Sequence, residues 1–359
     1  MLSIRKRETR DKTFFRSLEV VVLAMALGLT HFAAADQGGA VRIMSQNMDE
    51  GTAFQELVLA RTPQEFVAAV TLTYEKILAT RPAERAVAMA REIAKQRPDL
   101  VGLQEASIVR TGAVAPATSV ESDLLQSLLD ALKQLGENYE VVAIVPGLDA
   151  EAPSTLGFDV RLTTQDAILV RGDSRGKRVN LGDVLVSHFL TNLTVPTPIG
   201  PITLPRGWAS VDVDAGETAF RFVTTHLDVV PAIQFAQMEE LLASAANTKL
   251  PVVLAGDFNA DAANASDPSF ATYQAALDAG FADAWLQRHH PEPGFTCCQA
   301  PDLLNPASML SLRIDLVLVR GGFRAAQMEL VGDRRTDRTL SGLWPSDHAG
   351  IAATLSLDH

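Results

Sequence analysis

Short apolar runs recur along the chain, and several of them end in a polar residue. Their length and their β-branched residues are typical of buried strands. The predicted strands are 41–45, 100–103, 139–145, 165–170, 184–190, 209–213, 220–225, 252–255 and two closing strands around Leu316 and Ala352. Asn47, Glu105 and Asp257 each stand at the polar end of one such run. The pattern therefore predicts a protein built on β-sheets, with candidate catalytic side chains at the ends of its strands.

Helical periodicity separates several of these strands. Leucines recur at helical spacing over 121–135, and a capping signal at Thr62 opens the first of two helices within 62–96. Further helices are predicted at 231–246 and 268–279, whereas 146–164, which contains Gly, Pro and acidic residues, is predicted to be a loop. Many strands with fewer helices favour an α/β fold in which two packed sheets carry helices outside.

The N-terminus has the features of a secretory signal peptide. A basic start precedes the apolar stretch 20–29, and small residues follow up to Ala35. An apolar stretch of this length is short for a bilayer crossing, which needs about twenty residues, so an uncleaved membrane anchor is the weaker alternative. We predict a signal peptide over 1–35 with cleavage near Ala35, a secreted or periplasmic protein, and a single domain over 36–359.

Net charge and cysteine content narrow the function classes. Without the six basic and three acidic residues of 1–35, the net charge of −12 becomes −15. Such a charge repels polyphosphates and anionic membranes at long range, so nucleic-acid contact would need a local basic patch or bound cations. The only cysteines are the neighbours Cys297 and Cys298, which are either free thiols or a rare vicinal ring and do not form a disulfide scaffold.

Six polar signatures stand in a fixed order along the chain, each within or beside a strand-like run. They are RIMSQN at 42–47, DLVGLQE at 99–105, RFVTTHL at 221–227, VVLAGDFN at 252–259, RIDLVLV at 313–319 and PSDH at 345–348. Together they resemble the endonuclease/exonuclease/phosphatase family of metal-dependent, DNase-like phosphoesterases. The resemblance implies a four-layer α/β sandwich, two packed mixed β-sheets flanked by helices, and Mg²⁺-dependent hydrolysis of phosphate esters, with Mn²⁺ or Ca²⁺ as alternatives.

The residue types suit this chemistry. Attack by water on an anionic phosphate ester needs a cation, a base and donors to the phosphate oxygens. Glu105 offers the carboxylate that Mg²⁺ prefers. His348 is the candidate general base or electrostatic partner of the phosphate, because imidazole titrates near physiological pH. By resemblance, Asn47 and Asp347 assist Glu105 at the metal, and Asp315 orients His348. The remaining residues with roles implied by resemblance are Asp257 and Asn259, which position the attacking water, and His226, which donates to a phosphate oxygen.

The sequence is compatible with several classes of phosphate-ester substrate. Nucleic acid, phospholipid and small phosphate esters all fit, with a phosphodiesterase favoured over a phosphomonoesterase of sugar or inositol phosphates. The stretch 189–208 is the candidate apolar loop for a lipid substrate, and Asp166 is the nearest match to an acidic substrate-holding position of the family. A helical insertion near 55–80 begins close to the first strand end. A catalytically inactive binding protein is the alternative from another class; we expect a monomer without an obligate protein partner.

Overall fold

Two mixed β-sheets face each other across a shared apolar core in the computed structural model, which describes residues 40–176, 178–216 and 218–357. The predicted signal peptide over 1–35 lies outside these residues. No helix among the described residues combines the length and hydropathy that a bilayer crossing needs.

The first sheet has eight strands and the second has six. The first contains β1 Val41–Asn47, β2 Leu100–Gln104, β3 Ile108–Gly112, β4 Ser119–Asp123, β5 Tyr139–Pro153, β6 Asp159–Arg171, β15 Phe323–Val331 and β16 Gly350–Leu357. The second contains β7 Asn180–His188, β10 Gly207–Ala215, β11 Thr218–His226, β12 Val252–Asp257, β13 Ala282–Asp283 and β14 Asp315–Arg320. The strands β8 Leu193–Thr197 and β9 Gly200–Leu204 form a separate hairpin. Each large sheet contains one parallel pair, β1 with β2 and β11 with β12, so both sheets are mixed.

Helices lie between many of the strands along the chain. They are α1 Gln55–Leu59, α2 Pro63–Ala79, α3 Pro82–Gln96, α4 Leu124–Gln134, α5 Pro231–Ala243, α6 Phe270–Asp278, α7 Ala284–His289 and the 3₁₀ turn Arg335–Asp337. Because side chains alternate along a strand, Ile43 points into the core between the sheets while Met44 packs under α3 and α4. Val253 and Leu254 divide in the same way between that core and the layer of α5 and α6. The predicted four-layer sandwich of two mixed sheets flanked by helices is confirmed.

The prediction of a loop at 146–164 was wrong. Strands β5 and β6 pair from Tyr139–Arg171 out to Pro153–Asp159, so the stretch is a long hairpin. Two register shifts, at 141/143 and 146/149, accommodate its irregular sequence. Gly and Pro within a strand mark such bulges as well as loops, which is why composition alone gave the wrong assignment.

The parallel pairs bring chemically active strand ends to one rim of the sandwich. Asn47 ends β1 opposite Gln104 of β2, and His226 ends β11 opposite Asp257 of β12. Asp315 begins the antiparallel β14, so it also lies opposite Asp257. The two sheets approach closely beneath this rim, where a Cβ added at Gly102 would lie 2.4 Å from Thr224 Oγ1. A glycine at this position therefore lets the two rows of strand ends meet.

Candidate active site

Asn47 joins the two sheets at the rim. Its Nδ2 donates to Glu105 Oε1 and to Asp257 Oδ2, both at 3.0 Å. Its Oδ1 accepts from the backbone N–H of Asp49 at 2.9 Å, which fixes the orientation of the amide. The side chain is fully buried, so these bonds replace contacts with water. One amide therefore sets the separation of two carboxylates that come from different sheets.

Glu105 turns the chain sharply after β2. Its φ of 58° lies in the left-handed region, which is uncommon for a residue with a side chain and is often found at functional sites. The backbone N–H of Glu105 donates to Asp166 Oδ1 at 3.1 Å, and Glu105 Oε2 accepts from the backbone N–H of Glu50 at 3.0 Å. The carboxylate is thereby directed into the rim beside Asn47.

His226 and Asp257 stand side by side on parallel strands. His226 Nε2 lies 3.4 Å from Asp257 Oδ2 and 3.9 Å from Glu105 Oε1. Its Nδ1 lies 2.7 Å from Nη1 of Arg206, so that contact requires Nδ1 to accept. Burial, together with the charges of Arg206 and His348, lowers the pKa of His226 well below its usual value. His226 is therefore neutral at physiological pH, with Nε2–H free to donate.

His348 is held by a buried aspartate. Its Nδ1 lies 2.8 Å from Asp315 Oδ2, and its Nε2 lies 3.9 Å from Asp347 Oδ1. The serine of the PSDH segment places the ring, because Ser346 Oγ donates to Asn47 O at 2.8 Å and accepts from the backbone N–H of His348 at 3.1 Å. Burial opposes protonation of the imidazole, but the Asp315 and Asp347 charges outweigh it and raise the pKa of His348 well above its usual value.

Asn259 is adjacent to the site through its backbone. Its N–H donates to Asp257 Oδ1 at 2.8 Å, while its Nδ2 donates to Leu227 O at 2.9 Å. Its φ of 50° also lies in the left-handed region. The geometry thus makes Asn259 a support for Asp257 and for the turn after β11, and its predicted contact with the attacking water stays a prediction.

The carboxylates and imidazoles provide donor atoms for a cation. Glu105, His226 and Asp257 can bring ligand atoms within 4.8 Å of one another, as can Asp257, Asp315 and His348. Asp347, predicted to lie on the metal side, belongs to neither group among the described residues, although its charge acts on His348. Its role at the metal stays a prediction.

Comparison with known proteins decides the family. The model of the Endonuclease/Exonuclease/phosphatase family matches residues 77–348, which contain five of the six signatures. The chain belongs to this family. Enzymes of the family hydrolyse phosphate esters and usually use a divalent metal ion, as the sequence predicted. No curated protein matches the chain.

Solved structures of the endonuclease/exonuclease/phosphatase family share the fold at low sequence identity. A humanized TDP2 from D. rerio is 18% identical, with a TM-score of 0.54 over 88% of this chain and 99% of its own. A family protein from Leptotrichia buccalis is 15% identical, with a TM-score of 0.55 over 88% and 100%. The mannosyl-6-phosphatase Bt3783 from Bacteroides thetaiotaomicron is 16% identical, with a TM-score of 0.53 over 88% and 100%. These likenesses show the fold of this family member.

The donor set of this family member fits a hard divalent cation. Burial and the nearby Asp315 charge raise the pKa of Asp257 to about 7, and burial raises the pKa of Asp166 to about 7. Burial and the charge of Asp49 raise the pKa of Asp347 well above its usual value. Carboxylates crowded in this way repel one another, and carboxylate and amide oxygens are the ligands that Mg²⁺ and Ca²⁺ prefer. A bound cation would therefore stabilise their charged forms.

Sequence reasoning missed three residues beside the site. Arg206 contacts His226, and the backbone of Glu50 binds Glu105. Arg85 is fully buried and donates to carbonyl oxygens of Met48, Asp49, Thr80 and Pro345. Of these three residues, only Arg85 could have been identified from the sequence. It lies on the same apolar face of the helix as Met89 and Ile93, where a charged side chain is costly unless it is paired.

The adjacent cysteines lie next to the candidate active site. Cys297 pairs through its backbone with both Leu312 and His348, and the structure joins it to Cys298 as a vicinal disulfide. Thr296 Oγ1 accepts from the backbone N–H of Asp315 at 3.0 Å. The segment 296–298 therefore supports both members of the His348–Asp315 pair.

Proposed function

We propose that this family member is an exported, Mg²⁺-dependent phosphodiesterase. The observation that carries the proposal is the amide of Asn47, hydrogen-bonded to Glu105 on one side and Asp257 on the other. This contact places the carboxylate we assign to the metal beside the carboxylate we assign to the attacking water. A phosphate bound at the metal would thus lie next to its nucleophile, which is the requirement for proximity catalysis.

Each polar residue then has a specific task. Glu105 would hold the metal, with Asp347 approaching from the PSDH segment. Asn47, whose Nδ2 faces Glu105 and Asp257, would fix the position of these two carboxylates. The bound ion would neutralise charge on the phosphate oxygens. Asp257 orients the attacking water, and His226 donates from Nε2 to a phosphate oxygen. His348, oriented by Asp315 through Nδ1, exchanges a proton through Nε2.

Charge favours a diester over a monoester. The rim collects Glu105, Asp166, Asp257, Asp315 and Asp347, and the whole chain has a net charge of −12. A phosphodiester carries one negative charge, whereas a monoester carries nearly two at neutral pH, so the diester is repelled less. TDP2 from D. rerio, which shares the fold, has been solved with a single strand DNA product. The mannosyl-6-phosphatase supports a monoester as the second candidate.

One panel of substrates tests the proposal. The purified protein is incubated with plasmid DNA, RNA, choline phospholipids, a soluble aryl phosphodiester and small phosphomonoesters, each with Mg²⁺, Mn²⁺, Ca²⁺ or a chelator. We expect metal-dependent cleavage of diesters that the chelator abolishes. Cleavage of monoesters alone would favour the phosphatase, and metal binding without any cleavage would indicate a binding protein. Mass spectrometry of exported protein tests cleavage near Ala35.

A further inference from the structure

An apolar groove of about 220 Å³ opens beside the candidate active site. Three segments form most of its walls: the helices α1 and α2, the β5–β6 hairpin and the β8–β9 hairpin. Val109 of β3 adds to the lining. The side chains that characterise these walls are Leu57, Phe66, Tyr74, Leu162, Val195 and Ile202. Aliphatic and aromatic groups on three sides make the groove suitable for hydrocarbon.

The groove is continuous with the site at one end. Glu50, Thr164 and Arg206 line this end, and Glu50 and Arg206 also contact the site directly. The backbone N–H of Glu50 donates to Glu105 Oε2 at 3.0 Å, and Nη1 of Arg206 lies 2.7 Å from His226 Nδ1. A ligand whose phosphate lies over Glu105 and His226 therefore has room to extend one substituent past Arg206 into the groove.

The lining disfavours two of the candidate substrate classes as occupants of the groove. A nucleic-acid strand along the groove would carry a phosphate at every nucleotide, yet Arg206 is the one basic side chain among the described residues that line it. A sugar or inositol ring would bury hydroxyl groups against a lining in which aliphatic and aromatic side chains outnumber polar ones, which is unfavourable. An alkyl chain loses no hydrogen bonds there.

The outer mouth of the groove exposes further aliphatic side chains. Val58 is 48% exposed, Leu59 56% and Ile199 54%. Val58 and Ile199 also line the groove, and Leu59 directly follows Val58. Exposed apolar side chains around an apolar groove are found on proteins that contact a lipid surface or another protein. The net charge of −12 disfavours an anionic surface, so it favours lipids with a zwitterionic head group.

We propose that the groove holds an alkyl chain of a zwitterionic phospholipid whose phosphodiester lies at the Glu105–His226 end. This inference rests on the proposed function and names its substrate class. The reaction is a hydrolysis: the oxygen of water bonds to phosphorus and gives up a proton, the ester P–O bond opposite it breaks, and the departing alkoxide takes up a proton. Burial of the chain supplies binding energy and sets the position of the phosphate.

A homologous series of soluble alkyl phosphocholine diesters, all below their micellar concentration, tests this with Mg²⁺ present. Because a buried methylene group contributes about fourfold in affinity, kcat/KM is expected to rise about fourfold per methylene until the groove is full. Ala152→Trp places a bulky ring in the groove and should remove this dependence on chain length. The measure is the ratio of kcat/KM for the longest ester to kcat/KM for the shortest. Ala219→Trp, at an exposed alanine outside the groove, is the matched control and should retain the slope.

A second variant provides an independent test in case Ala152→Trp does not fold. Ile199→Asp changes an exposed residue at the mouth and should reduce binding to phosphatidylcholine vesicles at least tenfold. Vesicles containing phosphatidylserine should bind the wild-type protein more weakly than phosphatidylcholine vesicles do.

The outcomes separate this inference from the proposed function. A chain-length series that is flat in the wild-type protein, with a soluble aryl diester still cleaved, overturns the lipid groove alone. Efficient cleavage of DNA with the same flat series would assign the site to nucleic acid. If no diester is cleaved with any metal, the proposed function itself fails.

Discussion

His348 Nδ1 and Asp315 Oδ2 lie 2.8 Å apart, joining the start of β14 to the segment that precedes β16. Asp315 is buried, and its other oxygen, Oδ1, has no hydrogen-bond partner among the described residues. A buried carboxylate is costly unless its charge is compensated. The protonated imidazole of His348 provides that compensation. Each residue of the pair therefore stabilises the charged form of the other.

Asp315→Asn should therefore impair catalysis more than binding. The amide can still contact His348 but cannot stabilise its cation or enforce the same tautomer. We expect kcat on a soluble phosphodiester to fall about 10²–10⁴-fold with KM little changed, as for the loss of a general acid–base contribution. Steady-state kinetics measure this, and circular dichroism checks the fold. Asp278→Asn, at an exposed aspartate, is the control; unchanged kcat in Asp315→Asn would remove the pair from the mechanism.

Asn47→Ala should weaken metal binding at the site. The amide that separates Glu105 from Asp257 is lost, and the two carboxylates are then free to repel each other. We expect the Mg²⁺ concentration for half-maximal activity to rise about 10–100-fold, the usual effect of removing a ligand's support. Titration calorimetry with Mg²⁺ provides a readout that does not depend on turnover. Asn264→Ala, at an exposed asparagine, should leave both values unchanged; equal metal affinity in Asn47→Ala would contradict this arrangement.

The sequence predicted the sandwich and the strand ends because both follow from local pattern. Apolar runs mark buried strands, and Glu105, Asp257 and His348 stand beside such runs, so their convergence follows from the fold. The family resemblance supplied the pairing of His348 with Asp315, which no local pattern contains.

The groove could not be read from the sequence. Its walls come from three segments far apart in the chain, and the hairpin of β5 and β6 has the composition of a loop. Arg206 is similar: it reaches His226 because β10 and β11 pair antiparallel, and a lone arginine before a strand carries no signal of that contact. Long-range pairing thus decides where the groove and Arg206 lie.

Arg85→Met should destabilise the protein and reduce activity together. The buried guanidinium bonds to Met48 O at 2.7 Å and Pro345 O at 3.1 Å, so it ties α3 to the loops that carry Asn47 and His348. It also lies 3.7 Å from Asp49 Oδ2. Methionine fills similar volume but leaves these acceptors unpaired.

We expect the free energy of unfolding to fall by about 3–5 kcal/mol for Arg85→Met. Urea denaturation followed by fluorescence measures the change. Arg91→Met, at an exposed position of the same helix, is the matched control and should stay within about 0.5 kcal/mol of wild type. A loss no larger than that of the control would mean that water replaces the guanidinium.

Asp99, which lies away from the active site, should make the free energy of unfolding depend on pH. It is fully buried; Arg42 N–H donates to its Oδ2 at 2.9 Å and Arg171 Nη2 to its Oδ1 at 3.0 Å. Burial opposes ionisation, but hydrogen bonds from Ser174, the Arg42 backbone and Arg171 outweigh it and lower the pKa of Asp99. A carboxyl with a lower pKa in the folded state contributes stability above its unfolded pKa, and this contribution disappears as pH falls through the folded value.

Asp99→Asn removes the charge and should lower the free energy of unfolding by about 3 kcal/mol at pH 7. The difference from wild type should shrink as pH falls below about 4, where the unfolded wild-type carboxyl becomes protonated. Denaturant melts of both proteins across this range measure it, with Asp278→Asn, at an exposed aspartate outside this network, as control. A difference that is constant from neutral to acid pH would show that packing, and not the charge of Asp99, holds β2 against β6.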